Sequence, residues 1–216
     1  MTKWTEQAWK TAEPIYEKIL DLPFLHELIA GSLAREKFLF YLKQDALYLS
    51  EYGKILAGIA AKLDRKAWRE AFLHFSADTV SVEQALHQYF LKDEAPAVMP
   101  SPSCMLYTGH MYRQLANGST EEVLASVLPC FWVYQKVGNY IVERQTQNEN
   151  PYQSWIDTYG GEEFARAVQT ALEICNETAA ACTDAGREAM TRAFLLSFKM
   201  EWMFWNSAWN MEQWPV

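Results

Sequence analysis

Cysteine is sparse in this 216-residue chain, and its four occurrences, Cys104, Cys130, Cys175 and Cys182, form no C-x-x-C pair. That excludes a zinc knuckle or redox dithiol of recognisable spacing and leaves four free thiols expected in a reducing compartment. Histidine is equally sparse. A di-iron bundle needs Glu-x-x-His on its helices, whereas the chain offers only Glu70-x-x-x-His74 and Glu83-x-x-x-His87. The sequence alone leaves a haem ligand open among His26, His74, His87 and His110. A glycine-rich phosphate loop, G-x-S-x-G and H-E-x-x-H are all missing. So is any cluster of Lys and Arg. With a formal charge of -8, the chain repels a phosphate backbone, and direct binding of nucleic acid is not expected. No window approaches the roughly 20 uncharged residues of a membrane span, and Met1-Thr2-Lys3-Trp4-Thr5-Glu6 carries no apolar stretch of signal-peptide type. A cytoplasmic protein with no membrane partner is expected.

Strand formers are in the minority. Alanine outnumbers Val plus Ile, 26 to 18, and Glu, Gln, Lys, Leu and Met fill the long segments, so local propensity favours helix nearly everywhere. Half of the residues are hydrophobic, ample for one core, and neither a repeat nor a low-complexity tract divides the chain. The expected architecture is an all-α multi-helix bundle forming one domain over residues 1–216. Caps and breakers predict seven or eight helices: Thr5 to Leu20, Phe24 to Ala30, Leu33 to Lys62, Lys66 to Leu91, Ser103 to Ala116, Glu121 to Gln145, Glu162 to Cys182 and Ala185 to Gln213. Pro96, Pro100 and Pro102 make Lys92 to Pro102 a long loop. Gln147 to Gly161 reads as a second irregular region.

Four departures from a plain apolar pattern stand out. In the third helix Phe38, Tyr41, Asp45, Tyr48, Tyr52, Ile55 and Ile59 form one interior stripe, and Asp45 sits in its middle. A carboxylate there needs a tyrosine hydroxyl, a cation or a ligand to replace lost hydration, and protein groups alone could satisfy it. The last helix repeats the anomaly: Met190, Phe194, Phe198, Glu201, Trp205 and Ala208 share a face whose one ionisable member is Glu201. Two interior carboxylates meeting in one cavity would raise at least one pKa toward neutrality and suit it for proton transfer. In the sixth helix Pro129 should kink the backbone and free a carbonyl near residue 125, with Cys130 next to it and Tyr134 one turn on. On pattern alone Cys130 is either a nucleophile or a small buried hydrophobe. Finally, Tyr107 and Tyr159 stand where buried phenols could wall a flat heteroaromatic ring or simply fill core.

Five separated motifs in order give the chain a family resemblance along essentially its whole length. They are Tyr41-Leu42-x-Gln44-Asp45-x-x-Tyr48-Leu49, Pro100-Ser101-Pro102 leading to Tyr107-Thr108, Leu128-Pro129-Cys130-x-Trp132-x-Tyr134, Trp155-Ile156-x-Thr158-Tyr159-Gly160-Gly161, and Glu201 ahead of Phe204-Trp205. The chain resembles the TenA family, also called thiaminase II. The resemblance implies a haem-oxygenase-like helical fold, a homotetramer, and no metal, haem or other cofactor. It further implies hydrolysis of 4-amino-5-aminomethyl-2-methylpyrimidine to the hydroxymethylpyrimidine and ammonia in thiamin salvage, with secondary hydrolysis of thiamin. By motif position Cys130 would be the nucleophile, Glu201 the acid/base, Asp45 the holder of the aminopyrimidine, and Tyr48, Tyr107, Tyr134 and Tyr159 the surrounding wall. Ala46 stands where many relatives carry an aromatic residue and Phe131 where some carry tyrosine. Two other functions fit the same fold: a protein that binds a pyrimidine or thiamin without turnover, and a haem- or metal-dependent oxygenase.

Overall fold

The computed structural model describes residues 2–86, 99–145 and 150–216. Among them the chain forms nine α-helices and no strand: α1 (Trp4–Leu20), α2 (Pro23–Ile29), α3 (Arg35–Lys62), α4 (Lys66–Leu86), α5 (Pro102–Asn117), α6 (Thr120–Arg144), α7 (Gln153–Gly160), α8 (Glu162–Ala181) and α9 (Asp184–Asn210). No helix among the described residues is long and apolar enough to cross a membrane. Eight of the nine match the predicted segments. The predicted end of the fourth helix at Leu91, and residues 92–98 of the proline-rich loop, lie outside the described residues. The ninth helix is a correction, because α7 occupies part of the region read as irregular. It has no side-chain N-cap and only eight residues, but Trp155, Ile156 and Tyr159 on one side are buried. Tertiary burial, not local propensity, stabilises so short a helix.

Helix ends follow from local chemistry. Ser119 and Glu122 close a reciprocal capping box at the start of α6, and Thr183 accepts from the Gly186 N–H at the start of α9. Gly31, at φ 66°, ends α2 in a left-handed turn in which the Ser32 N–H bonds the Glu27 carbonyl at 2.9 Å. The long helices then pack by their apolar stripes. α6 lies along α9, α3 against α4 and α5, and α1 and α8 cover the α6–α9 pair. Both stripes that carry a carboxylate face inward: every member, from Phe38 to Ile59 on α3 and from Met190 to Ala208 on α9, is buried.

Replacing Ser119 by Ala removes the side-chain acceptor of the α6 capping box and should cost about 1 kcal/mol, read as a lower urea midpoint with an unchanged denaturant slope.

Candidate active site

Asp45 is 2% exposed on α3 and bounds a cavity of about 450 Å³. Its negative charge is felt through the site, raising the pKa of Glu201, Cys130, Tyr134 and Tyr159 in addition to the effect of burial. Across the cavity stands Cys130 of α6. The helix continues through Pro129, and the hydroxyl that meets its backbone donates to the Val127 carbonyl at 2.8 Å, from Tyr52. The expected free carbonyl near residue 125 is therefore not the one that this hydroxyl takes. Burial pushes the Cys130 thiol well above its ordinary pKa, and Glu201 and Asp45 push it the same way. The neighbouring hydroxyls of Tyr48 and Tyr52 oppose them, because polar hydroxyls near the sulfur favour the thiolate.

Glu201 is 1% exposed on α9, and Tyr107 of α5 donates to its Oε1 at 2.6 Å. Burial raises its pKa to about 8, with the Tyr107 hydrogen bond lowering it and Asp45 raising it. A carboxyl in that range exchanges its proton near neutral pH, as an acid/base group must. The Tyr48 hydroxyl acts on both Tyr107 and Cys130, and its ring centroid is 5.0 Å from that of Tyr107. The Tyr48 hydroxyl itself lies 3.9 Å from the Met111 sulfur, so the one hydrogen bond to Glu201 among these groups is that of Tyr107. Of the seven predicted site residues, Asp45, Cys130, Tyr134 and Tyr159 bound the cavity, while Tyr48, Tyr107 and Glu201 do not.

The tyrosine wall depends on a glycine. Tyr134 and Tyr159 lie with ring centroids 4.9 Å apart, one from α6 and one from the end of α7. A Cβ at Gly138, one turn beyond Tyr134, would lie 2.8 Å from the Tyr159 carbonyl and 3.1 Å from the Gly160 nitrogen. Only glycine lets the two backbones approach this closely. Tyr41 supports the wall from behind, its hydroxyl 3.2 Å from that of Tyr134 and its ring stacked on Trp205 at 5.3 Å.

Sequence reasoning missed Tyr41 and Tyr52 as site residues, although both lie on the Asp45 stripe at helical spacing. It also missed Phe75 and Thr79, which bring α4 into the cavity wall; nothing local in α4 signals that, because only the packing on α3 places them. His26 and His74 are exposed, His110 is buried, and none of the three bounds the cavity. His87 lies outside the described residues. Among the described residues no group of three or more His, Cys, Asp or Glu is placed to hold a metal.

Residues 9–211 match the model of the TENA/THI-4/PQQC family. The chain belongs to that family. A relative in it, the aminopyrimidine aminohydrolase of Bacillus subtilis (strain 168), is 31% identical over 98% of this chain and 92% of its own length. A solved TenA homologue from P. horikoshii OT3 superposes with a TM-score of 0.87 at 27% identity, covering 97% of this chain and 99% of that one. A domain from Shewanella denitrificans OS217 described as having a heme oxygenase-like fold also aligns, at TM-score 0.78 and 14% identity, covering 98% of this chain and 94% of that one. The fold is accordingly all-α and haem-oxygenase-like.

Two predictions follow from the geometry of this family member's site. Glu201 holds its proton up to about pH 8 when folded, against an ordinary 4.5. The folded state therefore binds that proton more tightly, and the stability this contributes is complete below pH 4.5 and lost as pH rises through 8. Glu201→Gln should flatten that decline, so its urea midpoint should gain on that of the wild type between pH 5 and about pH 8. Gly138→Ala should displace the Tyr159 turn and raise KM roughly tenfold, on the scale of about 1.4 kcal/mol of lost ring contact, in steady-state assays.

Proposed function

We propose that this chain, acting as one helical domain, hydrolyses 4-amino-5-aminomethyl-2-methylpyrimidine to the hydroxymethylpyrimidine and ammonia, with thiamin as a secondary substrate. The observation that carries the reading is the meeting of Cys130, Asp45 and two tyrosine rings in one cavity, backed by a carboxyl whose pKa lies near 8. Its likeness to the aminopyrimidine aminohydrolase of Bacillus subtilis supports the same chemistry.

The residues divide the work as follows. Asp45 accepts hydrogen bonds from the 4-amino group and a protonated ring nitrogen side by side, an arrangement that suits a carboxylate. Tyr134 and Tyr159 hold the ring by its faces and edges. Ring protonation makes the pyrimidine electron-poor. The Cys130 thiol gives up its proton to the ionised form of Glu201, which a pKa near 8 keeps within reach, and the sulfur bonds to a ring carbon. Glu201 returns the proton to the exocyclic amine, the methylene C–N bond breaks, and ammonia leaves. Water then adds to the methylene carbon and loses a proton to Glu201, the C–S bond breaks, and the thiol is regenerated. One displacement becomes two easier steps. With thiamin the leaving group is the thiazole ring, departing from its cationic form, so that step needs no proton from Glu201.

Cys130→Ala should lower ammonia release from the aminomethylpyrimidine by about a thousandfold or more, the scale on which removing a nucleophile acts. Wild-type protein that releases no ammonia, or a variant with undiminished turnover, would overturn the assignment.

A further inference from the structure

We propose that Gln44, Glu212 and Trp214 form a clasp on the entrance to α5 that sets Tyr107 against Glu201, which makes all three positioning residues for proton transfer. The proposal rests on the reading of Glu201 and Cys130 given above.

The clasp closes on three consecutive residues and the turn they lead into. Gln44, 2% exposed on α3, uses both ends of its amide: Nε2 donates to the Met99 carbonyl at 3.2 Å, and Oε1 accepts from the Ser101 N–H at 2.7 Å. Trp214 Nε1 donates to the carbonyl between them, that of Pro100, at 2.9 Å. In the first turn of α5, where backbone N–H groups have no partner within the helix, Ser103 donates to Glu212 Oε2 at 2.8 Å and Cys104 to Ser101 Oγ at 3.3 Å.

Glu212 and Trp214 arrive there by a reversal that has its own cost. At the end of α9 the chain turns through Met211, the one non-glycine residue at positive φ among the described residues (φ 47°, ψ 54°), with the Glu212 N–H on the Ser207 carbonyl at 3.0 Å. A methionine in that conformation persists only where its surroundings hold it, and the bonds of Glu212 to Ser103 and of Trp214 to Pro100 do so. The consequence is that the three helices carrying Asp45 and Tyr48, Tyr107, and Glu201 are fastened to one another at a single place. Gln44 immediately precedes Asp45, and Tyr107 lies only five residues into α5. A helix transmits slack at its start rigidly, and the 2.6 Å bond from Tyr107 to Glu201 tolerates little of it.

Gln44→Ala and a chain ending at Met211 should each lower kcat roughly ten- to hundredfold, the effect of a displacement near 1 Å. KM should stay within about threefold, since the cavity wall of Asp45, Tyr134 and Tyr159 is untouched. Glu212→Ala, a milder change in the tail, should lower kcat in the same direction. Glu212→Gln should restore it, because the amide oxygen still accepts from Ser103. In a Tyr107→Phe background Gln44→Ala should add little further loss, and a double-mutant cycle on the urea midpoint should show the same shortfall without any substrate. That second cycle keeps the clasp testable if the protein turns over no aminopyrimidine. Undiminished kcat in the truncated chain and Gln44→Ala, failure of Glu212→Gln to restore it, or additive midpoints in the Gln44–Tyr107 cycle would each overturn the proposal.

Discussion

The hydrogen bond from Tyr107 to Glu201 is the interaction around which the site is arranged. A carboxyl 1% exposed loses hydration worth several kcal/mol when ionised, and among the described residues no Lys or Arg is paired with it. Burial therefore keeps the proton on, and the phenol opposite keeps the ionised form attainable. The balance of those two effects sets the pKa near 8. A cation in place of Tyr107 would fix the carboxylate in its charged form, and an apolar residue would fix it neutral. Only a hydroxyl leaves both forms within reach of neutral pH.

That bond spans two helices far apart in sequence, so its length is decided by the scaffold. α9 meets the site through a long apolar stripe, and close packing of large rings such as Trp205 on Tyr41 of α3 leaves it little freedom to slide. The opposite wall is set by backbone contact instead, where Gly138 lets the end of α7 rest on α6. One side of the cavity is thus held by side-chain interdigitation and the other by the absence of a side chain. The clasp at the entrance to α5 belongs with these constraints, because it removes the sliding motion that stripe packing alone resists least.

What could be read from the sequence divides along the same line. The two buried carboxylates were legible because an Asp and a Glu interrupt stripes of strict helical spacing, and each stripe was found wholly buried. Helix boundaries set by caps, such as the Ser119–Glu122 box, were legible for the same local reason. α7 was not, since its eight residues lack a cap and are helical only because Trp155 and Ile156 are buried against other helices. Phe75 and Thr79 were invisible as wall residues because α4 carries no local mark of facing a cavity. The Pro129 signal was half informative. It located the helix that carries Cys130, yet the hydroxyl that meets this backbone goes to Val127, a partner chosen by where Tyr52 sits on α3. Periodicity thus shows that a polar group is interior; which groups face one another is fixed by packing between distant segments.

The thiol presents the sharpest case of that dependence. Among four free cysteines Cys130 is the one on the cavity wall, yet burial and two carboxyl groups disfavour its thiolate. Tyr48 and Tyr52 favour it but do not outweigh them. A bound ring that carries a proton reverses the electrostatics. In the proposed reaction its positive charge, paired with Asp45, offsets the field that opposes the thiolate. In the proposed reaction the nucleophile therefore ionises in response to its own substrate. A buried thiol whose thiolate is disfavoured is also a poor target for oxidation, since the thiolate is the reactive form. The same burial that makes Cys130 look like a packing residue is then what confines its reactivity to the complex.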